Sequence, residues 1–179
     1  VGIPGSGKSF FAEKFASTFS VPYISGHDIA QLVGSSDAGV VSAVAGKQID
    51  ELLKTRHSVL IEGGLDTRVE RTELVKKLNR EGYRPLLVWV QTDVATAKAR
   101  AIKPTKVQKN RLLTEQEHDL LVRRFTSPHP KDSAVVISGK HTYATQVKMV
   151  LKRLSSPRAE ISIHSKPPTR QFSDIRRNR

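Results

Sequence analysis

Apolar residues along this chain fall into two patterns, short uninterrupted runs and longer stretches at helical spacing. Short apolar runs bounded by polar or glycine-containing turns are typical of buried strands. The predicted strands cover residues 21–25, 58–62, 86–90 and 134–138. The run at 86–90 is continuous enough to be covered on both faces, as strands of a parallel sheet are.

The stretches between these runs carry the spacing of amphipathic helices. Phe11, Phe15 and Phe19 recur at every fourth position and predict a helix with one buried face. Further helices are predicted at 40–54, 68–81, 93–102, 114–125 and 142–154. The helix at 114–125 is opened by a capping box from Thr114 to Glu117. Because strands alternate with helices, we expect a parallel sheet with helices on both faces.

Length and composition narrow the class of protein further. A chain of 179 residues with 37% hydrophobic residues suffices for one domain with a sizeable core. The absence of cysteine excludes disulfide scaffolds, zinc knuckles and thiol catalysis. No apolar run approaches the roughly 18–20 residues that span a bilayer, and no signal peptide opens the chain. We therefore expect a soluble, cytoplasmic protein with no membrane partner.

Positive charge is concentrated in the second half of the chain. The formal net charge is +13, and residues 101–179 carry 17 cations against six anions. Such a balance favours anionic partners, and nucleic acid is one possibility; a solvated basic surface is the alternative. Because the composition changes after residue 156, we expect a domain at 1–156 followed by a basic, flexible tail at 157–179.

The first residues of the chain carry its most specific motif. Residues 2–9 fit the pattern G-x-x-x-x-G-K-S/T, the P-loop that cradles phosphates with backbone N–H groups. Lys8 is expected to reach the β- and γ-phosphates, and the Ser9 hydroxyl is expected to bind Mg²⁺. The predicted nucleotide-binding residues are Gly2, Pro4, Gly5, Ser6, Gly7, Lys8, Ser9 and Phe10. A P-loop follows a buried strand, of which Val1 alone is present, so we expect the chain to be a fragment.

Two acids follow predicted strands and are candidates for catalysis. Asp28 comes just after the strand at 21–25, so it should face the phosphate site across the crevice at the carboxyl ends of the strands. It could accept the proton of an acceptor hydroxyl, or alternatively cap a helix that begins at Ile29. Glu62 ends the next strand and could hold Mg²⁺ through water or bind the acceptor; a structural acid is the alternative.

Cations near these acids are candidates for binding phosphate. Arg68 and Arg71 lie at the start of a helix, where cations oppose the helix dipole, so they could bind substrate; a solvated face is the alternative. Five cations without an intervening acid predict a lid at about 103–113 that closes over ATP. They are Arg100, Lys103, Lys106, Lys109 and Arg111. Contact with nucleic acid or a plain surface would give a similar run. The loop at 139–141 could pass near adenine.

Known classes of P-loop protein narrow the function. The guanine-reading Asn-Lys-x-Asp of GTPases does not occur in the sequence, nor does the Asp-Glu pair of motor and transporter ATPases at the end of an apolar strand. Small phosphotransferases instead require an acid near the acceptor hydroxyl and cations around the phosphates, and both requirements have candidates here.

Over roughly residues 1–154 the chain resembles small P-loop kinases of the polynucleotide kinase and zeta-toxin group, which carry an AAA-type ATP-binding domain. The P-loop followed by Ser25-Gly26-His27-Asp28 has the spacing of 5′-polynucleotide kinases, in which the matching Asp activates the hydroxyl. Their arginine three residues later is Gln31 here. The stretches at 60–63 and 81–83 are similar to zeta toxins, which phosphorylate a nucleotide-sugar. The stretch that ends at Arg100 is similar to a helix whose arginine flanks adenine.

The resemblance implies a three-layer P-loop NTPase fold with a five-stranded parallel sheet in kinase-type strand order. It implies an ATP-dependent kinase in which Lys8 and the loop amides stabilise the phosphoryl group and Asp28 is the base. Mg²⁺ would be held by Ser9 with Glu62 or Asp28, and the lid would close over ATP with Arg100, Lys103 and Lys106. Two alternatives stay open, an ATP-binding or ATPase module without an acceptor and a basic nucleic-acid-binding protein. The acceptor and the oligomeric state are open as well.

Overall fold

A computed structural model describes residues 1–103 and 113–156. Within these residues the helices are α1 (Lys8–Phe19), α2 (Gly26–Leu32), α3 (Ala38–Lys54), α4 (Arg68–Arg80), α5 (Val94–Ile102), α6 (Glu115–Arg124) and α7 (Tyr143–Leu154). The strands are β1 (Tyr23–Ser25), β2 (Leu60–Glu62), β3 (Val88–Gln91) and β4 (Val135–Ser138). A short 3₁₀ helix at Pro130–Asp132 precedes β4.

The strands form two parallel pairs. β1 pairs with β2, with Tyr23 opposite Leu60, and β3 pairs with β4, with Val88 opposite Val135. Since each pair is parallel and in register, its two strands end side by side and deliver the loops that follow them to the same edge. The loops after β1 and β2 therefore meet, and so do those after β3 and β4.

Each strand pair is backed by its own apolar cluster. Buried residues Ile24, Ile49 and Leu53 lie in the cluster behind β1 and β2. Phe11, Val90, Ile137 and Val150 form the cluster behind β3 and β4. Within α1 the predicted apolar face is buried at Phe11, whereas Phe19 at the other end is 40% exposed.

A cavity of about 740 Å³ lies between the two strand pairs. β2 and β3 both line it, together with apolar side chains of α1, α4 and α7. Val1 stands at its edge and bonds to β3 in both directions. Its amino group donates to the Val88 oxygen at 2.7 Å, and the Val90 N–H donates to the Val1 oxygen at 2.9 Å.

The predicted elements are confirmed to within two residues at most ends, but α2 was not predicted. Ser25 caps α2, and its hydroxyl accepts a hydrogen bond from the Asp28 N–H at 3.2 Å. The alternative in which Asp28 caps a helix beginning at Ile29 is therefore wrong, because Asp28 already lies inside the first turn of α2.

Two predicted segments lie largely or wholly outside the described residues. Residues 104–112, which carry Lys106, Lys109 and Arg111, make up most of the predicted lid. Residues 157–179 make up the predicted tail, and contact with nucleic acid through residues 101–179 stays a prediction. Among the helices that the structure describes, none combines the length and apolar character needed to cross a bilayer.

Candidate active site

The loop that precedes α1 has the backbone of an anion cradle. Gly5 and Gly7 have positive φ values of +76° and +102°, which glycine adopts without strain. Gly7 is the N-cap of α1 and has no side chain to satisfy the first N–H groups of the helix. A Cβ at Gly2 would lie 2.5 Å from the Val90 oxygen, so the first residues of the P-loop pack tightly against β3. Free N–H groups at a helix start are suited to phosphate.

Lys8 turns back over this loop. Its Nζ donates to the Ile3 oxygen at 3.1 Å, which places the ammonium beside the cradle rather than in solvent. Burial lowers the pKa of Lys8, and the nearby Glu62 carboxylate opposes that effect only in part. A partly desolvated ammonium with few partners is well suited to bind an anion.

Ser9 and Glu62 meet at the end of the loop. The Ser9 hydroxyl donates to Glu62 Oε1 at 2.9 Å, and the Tyr23 hydroxyl donates to Glu62 Oε2. Burial, the charge of Glu62 and this hydrogen bond together raise the pKa of the Tyr23 phenol. Tyr23 is a site residue that sequence analysis missed. In the parallel register Ser25 stands opposite Glu62, and Tyr23 lies two residues before Ser25, on the same face of β1. This register is the signal that would have revealed Tyr23.

The Ser9 and Glu62 oxygens fit a magnesium site that is completed by phosphate and water. Mg²⁺ prefers oxygen ligands and usually takes one or two from the protein. No group of three or more His, Asp or Glu side chains among the described residues is arranged to hold a metal ion by itself. A magnesium site here would therefore depend on the bound nucleotide.

Asp28 lies exposed in the first turn of α2, close to this carboxylate. Its carboxylate has no hydrogen-bond partner among the described residues, and the N-terminal end of α2 favours its negative charge. Partial burial and the charges of Asp28 and Glu62 raise the pKa of Glu13 on α1. A Cβ at Gly63 would lie 3.0 Å from the Gly26 Cα, so the start of α2 and the loop after β2 are in contact.

Arg71 and Arg68 have different surroundings. Arg71 is only 4% exposed, and its Nη1 donates to the Leu65 and Asp66 oxygens at 3.1 and 3.0 Å. Its Nε and Nη2 have no hydrogen-bond partner within residues 1–103 and 113–156. For Arg71 the solvated-face alternative is therefore wrong. Arg68 is exposed and has no ion-pair partner among the described residues, so both its substrate role and that alternative stay open.

The opposite side of the P-loop is held by the loops after β3 and β4. The Thr92 hydroxyl donates to the Ser6 oxygen at 3.0 Å, and Arg100 Nη1 donates to the Gly139 oxygen at 3.0 Å. Arg100 therefore bonds to the loop that packs against Ser6, and its predicted role over ATP stays a prediction. Lys103, at the end of α5, is exposed.

The remaining predicted loop residues lie around the cradle. Pro4 is half-buried in the turn, and Ser6 is fully buried. Phe10 is 52% exposed, with the Lys14 ammonium 4.6 Å from its ring centroid, so its ring faces solvent. Its predicted part in nucleotide binding stays a prediction.

Residues 1–128 match the sequence profile of a family described as an AAA domain. The chain belongs to this AAA domain family. A search of curated protein sequences with this chain finds no match.

Solved structures show the fold of the AAA domain. A gluconokinase from Sinorhizobium meliloti 1021 matches with a TM-score of 0.63 at 18% identity, over 86% of this chain and 90% of its own. A sugar kinase from Janibacter sp. HTCC2649 matches with a TM-score of 0.59 at 14% identity, over 86% and 90%. A shikimate kinase from Aquifex aeolicus matches with a TM-score of 0.55 at 17% identity, over 86% and 93%. The AAA domain therefore has the α/β fold of P-loop kinases.

Proposed function

We propose that this AAA domain is an ATP-dependent phosphotransferase that moves the γ-phosphoryl group to a hydroxyl of a small molecule. The observation that carries this proposal is the position of Asp28. Its carboxylate is exposed and has no hydrogen-bond or ion-pair partner among the described residues, and it lies in the first turn of the helix that follows β1, whose last residue stands opposite Glu62. A kinase needs a base at this edge of the strands to take the proton of the acceptor hydroxyl.

The P-loop side of the site would bind the nucleotide. The N–H groups of the glycine-rich loop and the Lys8 ammonium would surround the β- and γ-phosphates. Arg100 and Lys103, at the last turn and end of α5, would add positive charge over the phosphates and adenine. Ser9 and Glu62 would hold Mg²⁺, which neutralises phosphate charge when bound.

The reaction at Asp28 is a direct transfer. The acceptor oxygen forms a bond to the γ-phosphorus while the bond from that phosphorus to the bridging oxygen of ADP breaks. The Asp28 carboxylate takes the proton that the acceptor hydroxyl loses, and ADP leaves with the electron pair of the broken bond. The contact of Gly26 with Gly63 holds the start of α2, which carries Asp28, against the loop that follows Glu62. The position of Asp28 relative to Glu62 is thereby kept constant.

A small-molecule acceptor is supported over a nucleic acid of the polynucleotide kinase type. The solved structures with this fold include a gluconokinase, a sugar kinase and a shikimate kinase. Where polynucleotide kinases carry an arginine that grips phosphate, this chain has the neutral Gln31, whose Nε2 lies 3.1 Å from Nε2 of His27. Arg68 and, through its unpartnered Nε and Nη2, Arg71 are the remaining cations that we propose for acceptor binding.

The cavity supports a single sheet of five strands. A parallel strand seated between β2 and β3 would fill an apolar space that both strands line, and Val1 already occupies one position in that register beside β3. The strand order would then be the one expected for a kinase, with the strand before the P-loop in the centre. Such a strand would also place the P-loop directly above the middle of the sheet.

Incubation with γ-labelled ATP and Mg²⁺ tests the proposed function. The acceptors are sugars, sugar acids, nucleosides, nucleotide-sugars and 5′-hydroxyl RNA and DNA. We expect label on one small molecule with the unchanged chain and with Asp50→Asn, an exposed carboxylate on α3. We expect no label with Asp28→Asn, although this variant still binds ATP. Release of free phosphate that Asp28→Asn leaves unchanged would instead favour the ATPase module. Labelled RNA or DNA would reassign the acceptor.

A further inference from the structure

We propose that Thr92 is a positioning residue that holds the P-loop in its phosphate-binding conformation. This inference rests on the nucleotide-binding part of the proposed function. Thr92 directly follows β3, and its hydroxyl donates to the main-chain oxygen of Ser6 at 3.0 Å. Both residues are buried, with 9% of Thr92 and none of Ser6 exposed.

The direction of the Ser6 oxygen decides whether the loop can bind an anion. The peptide unit that carries this oxygen also carries the N–H of Gly7, and the two point in opposite directions. With the oxygen held by Thr92, the Gly7 N–H is free to face the cradle. If this peptide unit turned over, a carbonyl oxygen would face the phosphates and repel them.

Within the loop, the Ser6 N–H donates to the Ile3 oxygen at 3.1 Å, which holds the peptide unit before Ser6 but not the unit between Ser6 and Gly7. Gly5 and Gly7 flank Ser6, and both have positive φ values, so the backbone on either side is permissive. The Ser6 hydroxyl has no hydrogen-bond partner among the described residues and does not fix the residue. An anchor outside the loop is therefore needed, and the Thr92 hydroxyl is the group that bonds to the Ser6 oxygen.

The Thr92 hydroxyl is not required to start the next helix. Asp93 is the N-cap of α5, and its Oδ1 accepts from the Thr96 N–H at 2.9 Å. The hydrogen bond from Thr92 to Ser6 thus joins segments 86 residues apart and has no local role in the helix. This separates a function in the P-loop from a function in forming α5.

Gly139 packs against both partners of the hydrogen bond between Thr92 and Ser6. A Cβ at this position would lie 1.9 Å from the Ser6 oxygen and 2.3 Å from Thr92 Oγ1. The Gly139 N–H donates to the Gln91 oxygen at 2.9 Å, and its own oxygen accepts from Arg100. Through Gly139, the Thr92 contact connects the P-loop with the arginine proposed to lie over the nucleotide.

Two substitutions of Thr92 test its role. Thr92→Val keeps the shape of the side chain but removes the donor, whereas Thr92→Ser keeps the donor. Thr72→Val is the matched control, because the Thr72 hydroxyl also donates to a backbone oxygen, that of Arg68 within α4. The readouts are the thermal midpoint, the amide NMR signals of Gly5 and Gly7 without nucleotide, and the Kd for Mg·ATP.

We expect folded Thr92→Val to bind Mg·ATP roughly tenfold more weakly and to shift the Gly7 amide signal, since an unsatisfied carbonyl is left behind. Thr92→Ser should restore both, and Thr72→Val should leave both unchanged. An unaltered Kd in Thr92→Val, or equal loss in folded Thr92→Ser, overturns the inference. If the unchanged chain fails to bind Mg·ATP, the proposed function is wrong. The amide signals of Gly5 and Gly7 without nucleotide then decide separately whether Thr92 holds the conformation of the P-loop. If Thr92→Val leaves these signals unchanged, the inference about Thr92 is overturned as well.

Discussion

The hydroxyl of Ser9 donates to Oε1 of Glu62 across 2.9 Å and ties the end of the P-loop to the end of β2. Tyr23 donates to the other carboxylate oxygen, so the orientation of Glu62 is fixed from two sides. A carboxylate held in this way keeps lone pairs free for water, and it loses little freedom when a cation binds. This hydrogen bond holds the Glu62 carboxylate at the end of the P-loop.

Removing the charge of Glu62 should weaken the use of Mg²⁺. We expect Glu62→Gln to need roughly 10–100-fold more Mg²⁺ for half-maximal ATP binding or transfer, the range seen when a group around a metal is replaced. Glu73→Gln, an exposed acid on α4, is the control. A Mg²⁺ titration followed by calorimetry measures the effect, and coinciding curves for Glu62→Gln and the unchanged chain would contradict the assignment.

ATP binding should depend on pH through Lys8. Burial lowers the pKa of Lys8 in the free chain, and bound phosphates would favour the ammonium and raise it again. Binding should therefore take up a proton above the free-state pKa, and affinity should fall as the pH rises through that value. Calorimetry in buffers of different ionisation enthalpy measures the proton. Lys8→Ala should abolish transfer and remove proton uptake; a persisting uptake in that variant would assign it to another group.

Arg68 and Arg71 of α4 should respond differently to replacement by lysine. Arg71→Lys loses the Nη1 that donates to both the Leu65 and the Asp66 oxygen, so we expect it to lower the free energy of unfolding by about 1–3 kcal/mol. Exposed Arg68→Lys should change it by less than about 0.5 kcal/mol. Urea denaturation measures both. If the larger loss came from Arg68, the assignment of Arg71 as the arginine that holds this loop would be incorrect.

Alanine at Gly139 and at Gly46 should have opposite effects. A methyl group at position 139 would overlap the Ser6 oxygen, so we expect a loss of about 1–3 kcal/mol in unfolding free energy together with weaker ATP binding. Gly46, within α3, has open space around its added Cβ. Gly46→Ala should therefore stabilise the chain by about 0.5–1 kcal/mol. Thermal and urea denaturation compare the two, and equal effects would show that the close approach at Gly139 relaxes without cost.

Much of the secondary structure follows from apolar spacing, because runs such as 86–90 and capping pairs such as Thr114 with Glu117 act locally. The helix α2 could not be predicted in this way. It has seven residues, begins with glycine and buries only Ile29, so it leaves no periodic pattern. The pairing of the strands depends on contacts between distant segments, which a pattern along the chain does not contain.

The sequence predicts candidates for the site where a local motif or a single side chain would carry the chemistry. The P-loop, Asp28 and Glu62 are of this kind, and their roles stay predictions. Tyr23 and Thr92 act through partners 39 and 86 residues away, so only the folded register reveals them. Arg71 lies between these cases, because it precedes Leu74 and Leu78 by three and seven positions and shares their helix face. That spacing could have predicted its burial.

The cavity between β2 and β3 has a consequence for the behaviour of the chain in solution. Its lining is mostly apolar and partly open to solvent, and apolar surface in contact with water raises the free energy of the folded state. We expect an apolar fluorescent dye to bind this cavity, and Leu87→Asn, which places a polar group in the lining, to weaken that binding. Dye fluorescence would thus measure how much of this apolar lining water reaches, without any enzymatic assay.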